Sequence, residues 1–374
     1  MALARDRSVQ VERRGELWYP AAGGYAGNNA CRKCHFDIVD RFEASAHAAR
    51  IRPVPPGAPL GPYLTGQEVQ DPLTGAVYQV RYHEDRNKLF LRAGSLSASA
   101  AIQWEFGSGR RARGYILRTD DGEYVDCRLN WYRATNGWDF ASGQDRLNRM
   151  LVEQPLGRSL PPAEVARCFG CHSSEIWATG ATPQGVPAAR LQFRFDKGKT
   201  GLSCESCHGP RAAHAAAFAG DKPVPPAPEM TAGEMNRLCA RCHSKATIDP
   251  THDVLARFQP WGLERSRCFI ASKGKLSCAS CHDPHDNAHT DTLFYESKCI
   301  SCHSPAGRAE KLATRFCPVN RTSGCVSCHM PKDDKGMRHV TLTDHRIRID
   351  KRLSGAVSAL LRSETTPRPE QTTP

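Results

Sequence analysis

Long apolar runs are missing from this chain. No stretch of about 20 apolar residues occurs anywhere, so nothing in it reads as a membrane-spanning helix. The opening Met1-Ala-Leu-Ala-Arg-Asp-Arg7 holds no apolar core of the roughly 7–15 residues that an export signal needs. Aromatic residues are only 7% of the 374 positions and mean hydropathy is −0.52, so side chains alone supply little for a large core. Acidic residues are also in deficit, 39 against 51 Lys and Arg, for a formal charge of +12. Such a balance ordinarily raises nucleic acid or an anionic membrane as a partner. No aromatic-and-basic RNA-binding motif or zinc-finger spacing accompanies it, which argues against nucleic acid.

What the chain has in excess is cysteine, 17 residues, and 14 of them fall into one repeated pattern. Cys-x-x-Cys-His occurs seven times: Cys31, Cys34, His35; Cys168, Cys171, His172; Cys204, Cys207, His208; Cys239, Cys242, His243; Cys278, Cys281, His282; Cys299, Cys302, His303; and Cys325, Cys328, His329. This is the attachment signature of c-type haem. Two thiols three positions apart can form thioethers with one porphyrin edge, and the next residue brings an imidazole nitrogen under the iron. Zinc sites also use paired cysteines, but their histidines usually come in a separate spaced pair. A disulfide framework makes no demand on the neighbouring residue. A His after every pair would arise by chance with a probability on the order of 10⁻¹⁰. The sequence therefore predicts seven covalent haems.

Seven porphyrins would supply the missing apolar volume, which predicts a mainly α chain with little regular structure, wrapped around packed haems. They also change the charge. Two propionates and one ferric centre per haem bring +12 to roughly +5 oxidised and about −2 reduced, so many basic side chains are expected to pair with propionates. Covalent haem attachment takes place outside the cytoplasmic membrane, so a periplasmic or otherwise extracytoplasmic protein is expected.

Taken in order, residues 1–30 read as an irregular leader. Residues 31–50 hold the first motif and an amphipathic helix, with Phe36, Val39, Phe42, Ala46 and Ala49 at helical spacing over roughly 36–50. Residues 51–160 are haem-poor, open with a Pro/Gly-rich connector, and read as a small antiparallel β insert. Its expected strands are 77–82, 89–92, 114–118 and 124–129, with a hairpin turn at Asp120-Asp121-Gly122. Residues 161–350 carry six motifs whose first cysteines are 36, 35, 39, 21 and 26 residues apart. That is too little chain for separate domains, so the haems must pack on one another. Residues 351–374 read as a short amphipathic segment followed by a disordered tail.

The 15 histidines bear on the far side of each iron. Seven are proximal ligands by the motif. Of the eight left, His47, His214, His252, His285, His289, His339 and His345 are candidate distal ligands, and His83, within the β insert, is the weakest. His47 lies about 18 Å along a helix from His35, so as a ligand it would serve another haem. His285 follows His282 by three residues and cannot reach around the same porphyrin; His214 stands six after His208. Each would sit over a neighbouring haem. Met330 is badly placed for the iron of His329. Full bis-His coordination favours electron transfer, and one open iron would instead allow an oxidoreductase of small nitrogen or sulfur compounds. Cys127, Cys268 and Cys317 remain, either as three thiols or as one disulfide and one thiol.

Several pieces resemble the multihaem cytochromes related to the tetrahaem cytochrome of ammonia oxidisers, and within them the doubled Cys-x-x-Cys-His proteins often fused to tetratricopeptide repeats. They are Ser45-Ala-His47-Ala48, Gly107-Ser-Gly109, Cys204-Glu-Ser-Cys207-His208-Gly209-Pro210 with His214, and Ser266-Arg-Cys268-Phe269. Further on come Cys278-Ala-Ser-Cys281-His282-Asp283-Pro284-His285 and Cys325-Val-Ser-Cys328-His329-Met330-Pro331-Lys332 with Thr343-Asp344-His345-Arg346. The resemblance covers most of 25–350 and implies that His47, His214, His285 and His345 are distal ligands. The wider superfamily includes nitrite reductases whose catalytic haem carries lysine in place of the motif histidine; all seven motifs here carry His. No tetratricopeptide array is visible. The expected partners are other redox proteins, or the remaining subunits of a larger cytochrome assembly.

Overall fold

The structure, a computed structural model, describes residues 8–9, 26–48, 51–58, 60, 66–144, 154–172, 177–179, 192–194, 201–219, 229–243, 256, 258–303, 317, 319–320 and 322–349. The chain divides into two units. The first comprises Met1–Ala227, Pro284–Asn287 and Met337–Val340, and the second Pro228–Asp283, Ala288–Gly336 and Thr341–Pro374. The expected leader and tail fall largely outside the described residues.

The first unit is built on strands. They are β1 (Ser8–Val9), β2 (Ile51–Pro53), β3 (Glu68–Gln70), β4 (Val77–His83), β5 (Arg86–Ala93), β6 (Leu96–Phe106), β7 (Ala112–Arg118), β8 (Tyr124–Cys127), β9 (Leu129–Tyr132), β10 (Gly137–Phe140), β11 (Gly157–Leu160), β12 (Trp177–Thr179) and β13 (Gln192–Arg194). Ten of them form one sheet of order β10-β9-β7-β6-β5-β4-β3, with β2 on β6 and β8 bridging β7 and β11; every pairing is antiparallel. The ends of this path approach each other: the amide of Trp138 in β10 donates to Gln67 Oε1, next to β3, at 3.1 Å. The sheet is almost closed.

The fold class predicted from sequence is thereby corrected. The chain is not mainly α with a small β insert; residues 51–160 form the largest body of regular structure and hold the side-chain core. Three of the expected segments are strands and the fourth, 124–129, breaks at Arg128 between β8 and β9; β2, β3, β6, β10 and β11 went unread. The stretch Leu96-Ser-Ala-Ser-Ala-Ala101 in β6 is made of small residues with poor strand propensity, and only its long-range partners β5 and β7 make it a strand.

The sheet is apolar on both faces. Tyr78, Val80, Leu89, Leu91, Ala100, Ile102 and Leu117 belong to one buried cluster, and Ile51, Trp104, Ile116 and Tyr124 to a second. Alternation alone would keep Ile102 and Trp104 on one side. A β-bulge between them shifts the phase and sends Trp104 to the second cluster. There it meets Val165 and Phe169 of helix Pro162–His172, which carries the second motif.

The second unit is assembled from short helices: Ala232–His243, Gln259–Glu264, Arg267–Ala271, Thr292–His303 and Cys325–His329, with a 3₁₀ turn at Cys278–Ser280. Among its described residues Leu263 is the sole buried branched aliphatic or aromatic side chain, while Asn236, Ser266 and Glu296 are buried and polar. With so little apolar side chain buried among the described residues, the unit is suited to take apolar volume from a bound group.

Candidate haem centres

The seven motifs adopt two local forms. In the first, the motif ends a longer helix: Pro162–His172, Ala232–His243 and Thr292–His303 all stop at the motif histidine. Helix Asn28–Glu43 belongs here too, because it breaks at His35 (φ −115°, ψ 37°). That helix begins ahead of its motif, not after it as the apolar spacing over 36–50 suggested. In the second form, motifs three, five and seven are single turns. The amides of His208 and His282 donate to the carbonyls of Cys204 and Cys278, each at 3.0 Å. Positions i, i+3 and i+4 then lie on one side of the turn, as two thioethers and an axial imidazole require.

Across from these motifs stand second imidazoles. Within the first unit, His35 and His214 have ring centroids 6.5 Å apart at 19°, and His208 and His285 are 5.9 Å apart at 4°. Within the second, His282 and His345 are 6.2 Å apart at 32°. Two metal–nitrogen bonds of about 2 Å and two ring radii of roughly 1.1 Å place the centroids of a bis-imidazole pair about 6 Å apart. The three pairs match that span. Helix Ala212–Ala219 carries His214. His345 is fixed by its Nδ1, 2.9 Å from the carbonyl oxygen of Thr343; the resulting tautomer leaves Nε2 free to ligate. Burial, foremost, lowers the pKa of His345 and of His208, the latter also through His285 and Arg211. Neutral imidazole is the ligating form.

The other candidates are placed as follows. His47 sets Nδ1 3.1 Å from the carbonyl oxygen of Pro284, and the neighbouring Ala46 amide donates to Asn287 Oδ1 at 2.9 Å. His289 stacks on Phe294 at 3.6 Å. His339 has Nε2 2.6 Å from Asp139 Oδ2, with Arg338 3.1 Å from the same oxygen. His83 lies beside Glu84 and packs edge-on against Phe90. His252 lies outside the described residues. The motif histidine His172 sits against Phe106 at 5.3 Å. Of the cysteines outside the motifs, Cys127 is fully buried in the sheet core, its thiol pushed up to about 12 by burial. Burial likewise raises Cys268.

Three further residues position these groups, and their sequence signal is weak because polar residues and glycine precede many turns. Glu205, only 2% exposed, accepts hydrogen bonds from the amides of Ala26, Gly27 and Arg211, each at 2.9 Å. Asn236, equally buried, accepts from the amide of Cys278 at 3.0 Å. Gly262 lies under the chain that carries His345: a Cβ there would be 2.9 Å from the amide nitrogen of Arg346.

The donor set fits haem c. Paired thiols, imidazoles at bis-ligand spacing and a second unit with few buried apolar side chains among its described residues are what a thioether-bound, six-coordinate porphyrin uses. Large apolar side chains near the motifs, such as Phe36 and Ile270 at 58% and 65% exposure, suit a porphyrin face.

Comparison with known proteins agrees. A family model described as cytochrome c554 and c-prime matches residues 130–209, which include the second and third motifs. The chain is 23% identical over 228 residues to the multiheme cytochrome MtrA of Shewanella baltica, covering 56% of this chain and 66% of that protein. It is 24% identical over 176 residues to the dissimilatory sulfite reductase MccA of Wolinella succinogenes, covering 35% of this chain and 22% of that protein. The chain thus spans less than two thirds of either relative. The crystal structure of the outer cell wall cytochrome OcwA aligns over 90% of this chain and 82% of its own, at 16% identity and a TM-score of 0.47.

Proposed function

We propose that this chain, a multihaem c-type cytochrome, is an electron conduit that holds seven covalently attached haems. Bound haem c supplies a one-electron iron couple whose potential is set by its axial ligands and surroundings. The chain's own residues would hold each porphyrin by two thioethers and offer imidazoles to its iron, which would keep solvent and small molecules from it. The observation that carries this reading is the trio His35–His214, His208–His285 and His282–His345 at 6.5, 5.9 and 6.2 Å. Four proximal histidines remain, His172, His243, His303 and His329, and four candidates remain for them: His47, His252, His289 and His339. The arithmetic allows bis-His ligation throughout. Along the chain, His208 and His214 are six residues apart and His282 and His285 only three, about 10 Å of extended backbone. The haems that His208 and His214 would ligate, those of motifs three and one, are therefore within a short electron-transfer distance.

Partners in this reading are redox proteins that deliver and collect electrons. No helix among the described residues is long and apolar enough to cross a membrane; haem attachment puts the mature protein in the periplasm or another extracytoplasmic space. The finer likeness to the tetrahaem cytochrome of ammonia oxidisers rests on the motif-flanking residues quoted above.

A second reading has one observation in its favour. His339 has committed Nε2 to Asp139 and ligates only through Nδ1. If it does not ligate, one iron is left open, and the chain becomes an oxidoreductase of small nitrogen or sulfur compounds, in line with the sulfite reductase among its relatives. The visible spectrum of the dithionite-reduced protein before and after carbon monoxide separates the two. An unchanged spectrum supports the conduit. A shift equivalent to about one haem in seven supports the enzyme.

A further inference from the structure

The two local forms of the motif are not mixed at random. Each of three helix-ending motifs is tied to one single-turn motif, and the tie comes from the same place. The residue three positions before the first cysteine is Asn28 in motif one, Asn236 in motif four and Glu296 in motif six. Asn28 Oδ1 accepts from the amide of Cys204, the first cysteine of motif three, at 3.1 Å. Asn236 Oδ1 accepts from the amide of Cys278, the first cysteine of motif five, at 3.0 Å, and Asn236 Nδ2 donates to the carbonyl of Leu276 at 3.2 Å. Glu296 takes the amides of Gly324 and Val326, either side of Cys325 in motif seven, at 3.1 and 3.3 Å. The one–three tie is reciprocal, because Glu205 of motif three accepts from Ala26 and Gly27 at the start of the first helix.

The first cysteines meet as a result. Cys31 and Cys204 are in side-chain contact, as are Cys239 and Cys278, and Cys325 lies close enough to Cys299 to add to the rise in its pKa that burial causes. When each of these sulfurs carries a porphyrin, adjacent sulfurs set two porphyrin edges side by side. Motif two departs from the pattern. Its residue at the same position is Val165, fully buried against the sheet with Trp104 and Phe169.

We propose that the side chain three residues ahead of the first cysteine in motifs one, four and six is a positioning residue that docks a second haem motif. Six of the seven haems are then built as three tied pairs, one with three, four with five and six with seven, and the haem of motif two stands on the sheet instead. The inference rests on haem attachment at all seven motifs. An amide or carboxylate oxygen facing the end of a short turn, buried at Asn236 and Glu296 and part-buried at Asn28, is a directional latch: it fixes both register and orientation where two apolar faces would slide. In each such pair, two bound irons would be close enough for the charge on one to bear on the other.

Asn236 provides the test, in the haem-loaded full chain. Haem content is counted first, by pyridine haemochrome absorbance per chain and by intact mass. Fewer than seven haems in the unaltered protein overturns the attachment reading by itself. N236L and N236D are then compared by Soret-region circular dichroism, where closely paired haems give a couplet, and by hydrogen exchange of the Cys278 peptide. N236L is expected to keep its haems, to lose roughly a third of the couplet as one pair of three, and to speed exchange at Cys278 about tenfold. N236D keeps the acceptor toward Cys278 and loses the donor to Leu276, so it should retain more of the couplet and more of the Cys278 protection than N236L. A full couplet and unchanged exchange in N236L, at full haem content, overturns the proposal. If N236L does not accumulate, exchange in the unaltered protein decides: unprotected amides at Cys278, Gly324 and Val326 overturn it, and protected ones support it.

Discussion

His208 and His285 face each other with ring planes 4° from parallel and centroids 5.9 Å apart, although 77 residues separate them. A centroid separation of about 6 Å is the span that two imidazoles on opposite sides of one iron take up. Replacing the distal partner should therefore open one iron and leave the porphyrin attached. The H285A protein is expected to keep the parent's haem content, to gain a high-spin ferric signal of about one haem per chain, and to bind carbon monoxide at that haem once reduced. Retention of a fully low-spin spectrum would remove His285 as the ligand.

The same logic reaches His345 through a residue that carries no chemistry. Gly262, within the short helix Gln259–Glu264, lies against the backbone of the His345 segment, and an added Cβ would be 2.9 Å from Arg346 N and 3.1 Å from His345 C. Both neighbours are backbone, so the chain must move. G262A should displace His345 from the iron of His282 by a few tenths of an ångström or more. The expected outcome is a shifted reduction potential for one haem, seen in a spectroelectrochemical titration, with haem content unchanged. Identical titration curves would show that the segment relaxes without moving the imidazole.

Different parts of this structure were legible for different physical reasons. Haem attachment is a local event, set by residues at i, i+3 and i+4, and the motif states it outright. His214 and His285 could be marked as distal candidates because the chain is too short to carry them around their own motif's haem, and His345 through the count of histidines and the likeness of the residues around it. The sheet was under-read because its strands are validated by partners far away: β6 is strung with Ser and Ala, and the bulge that turns Trp104 toward Phe169 leaves no trace in the residue types. The ties were invisible for a related reason. Asn236 and Glu296 look like ordinary polar residues on short helices, and only burial at 2% and 3% exposure, opposite an amide of another motif, reveals what they do.

Phe169 joins the two kinds of structure. It is fully buried between Trp104 (centroids 5.4 Å, edge-on) and Phe106 (5.6 Å), one residue after Cys168 of the second motif. Removing a buried phenylalanine leaves a cavity that costs about 3–5 kcal/mol. F169A should therefore lower the thermal unfolding midpoint of the sheet and, unlike a core change elsewhere in it, broaden or shift the signal of the haem at His172. A destabilised protein with an untouched haem spectrum would mean that motif two is not held by this cluster.

Cys127 supplies a pH test that the motif cysteines cannot confound. Once fourteen sulfurs are thioethers, the remaining thiols are Cys127, Cys268 and Cys317, and Cys127 is the fully buried one. Burial pushes its thiol from 9.0 up to about 12 in the folded chain, so the folded state keeps a proton that the unfolded state releases. Its contribution is complete below about pH 9 and is lost as pH rises from there through about 12. C127A should flatten that part of the stability curve: the difference in unfolding midpoint between the parent and C127A should shrink between pH 8 and pH 10.5. At pH 8 the thiolate fraction is on the order of 10⁻⁴, so iodoacetamide should leave Cys127 unmodified in the native protein and alkylate it after unfolding, as read by peptide mass. Rapid native alkylation at Cys127 would place this thiol outside the sheet core.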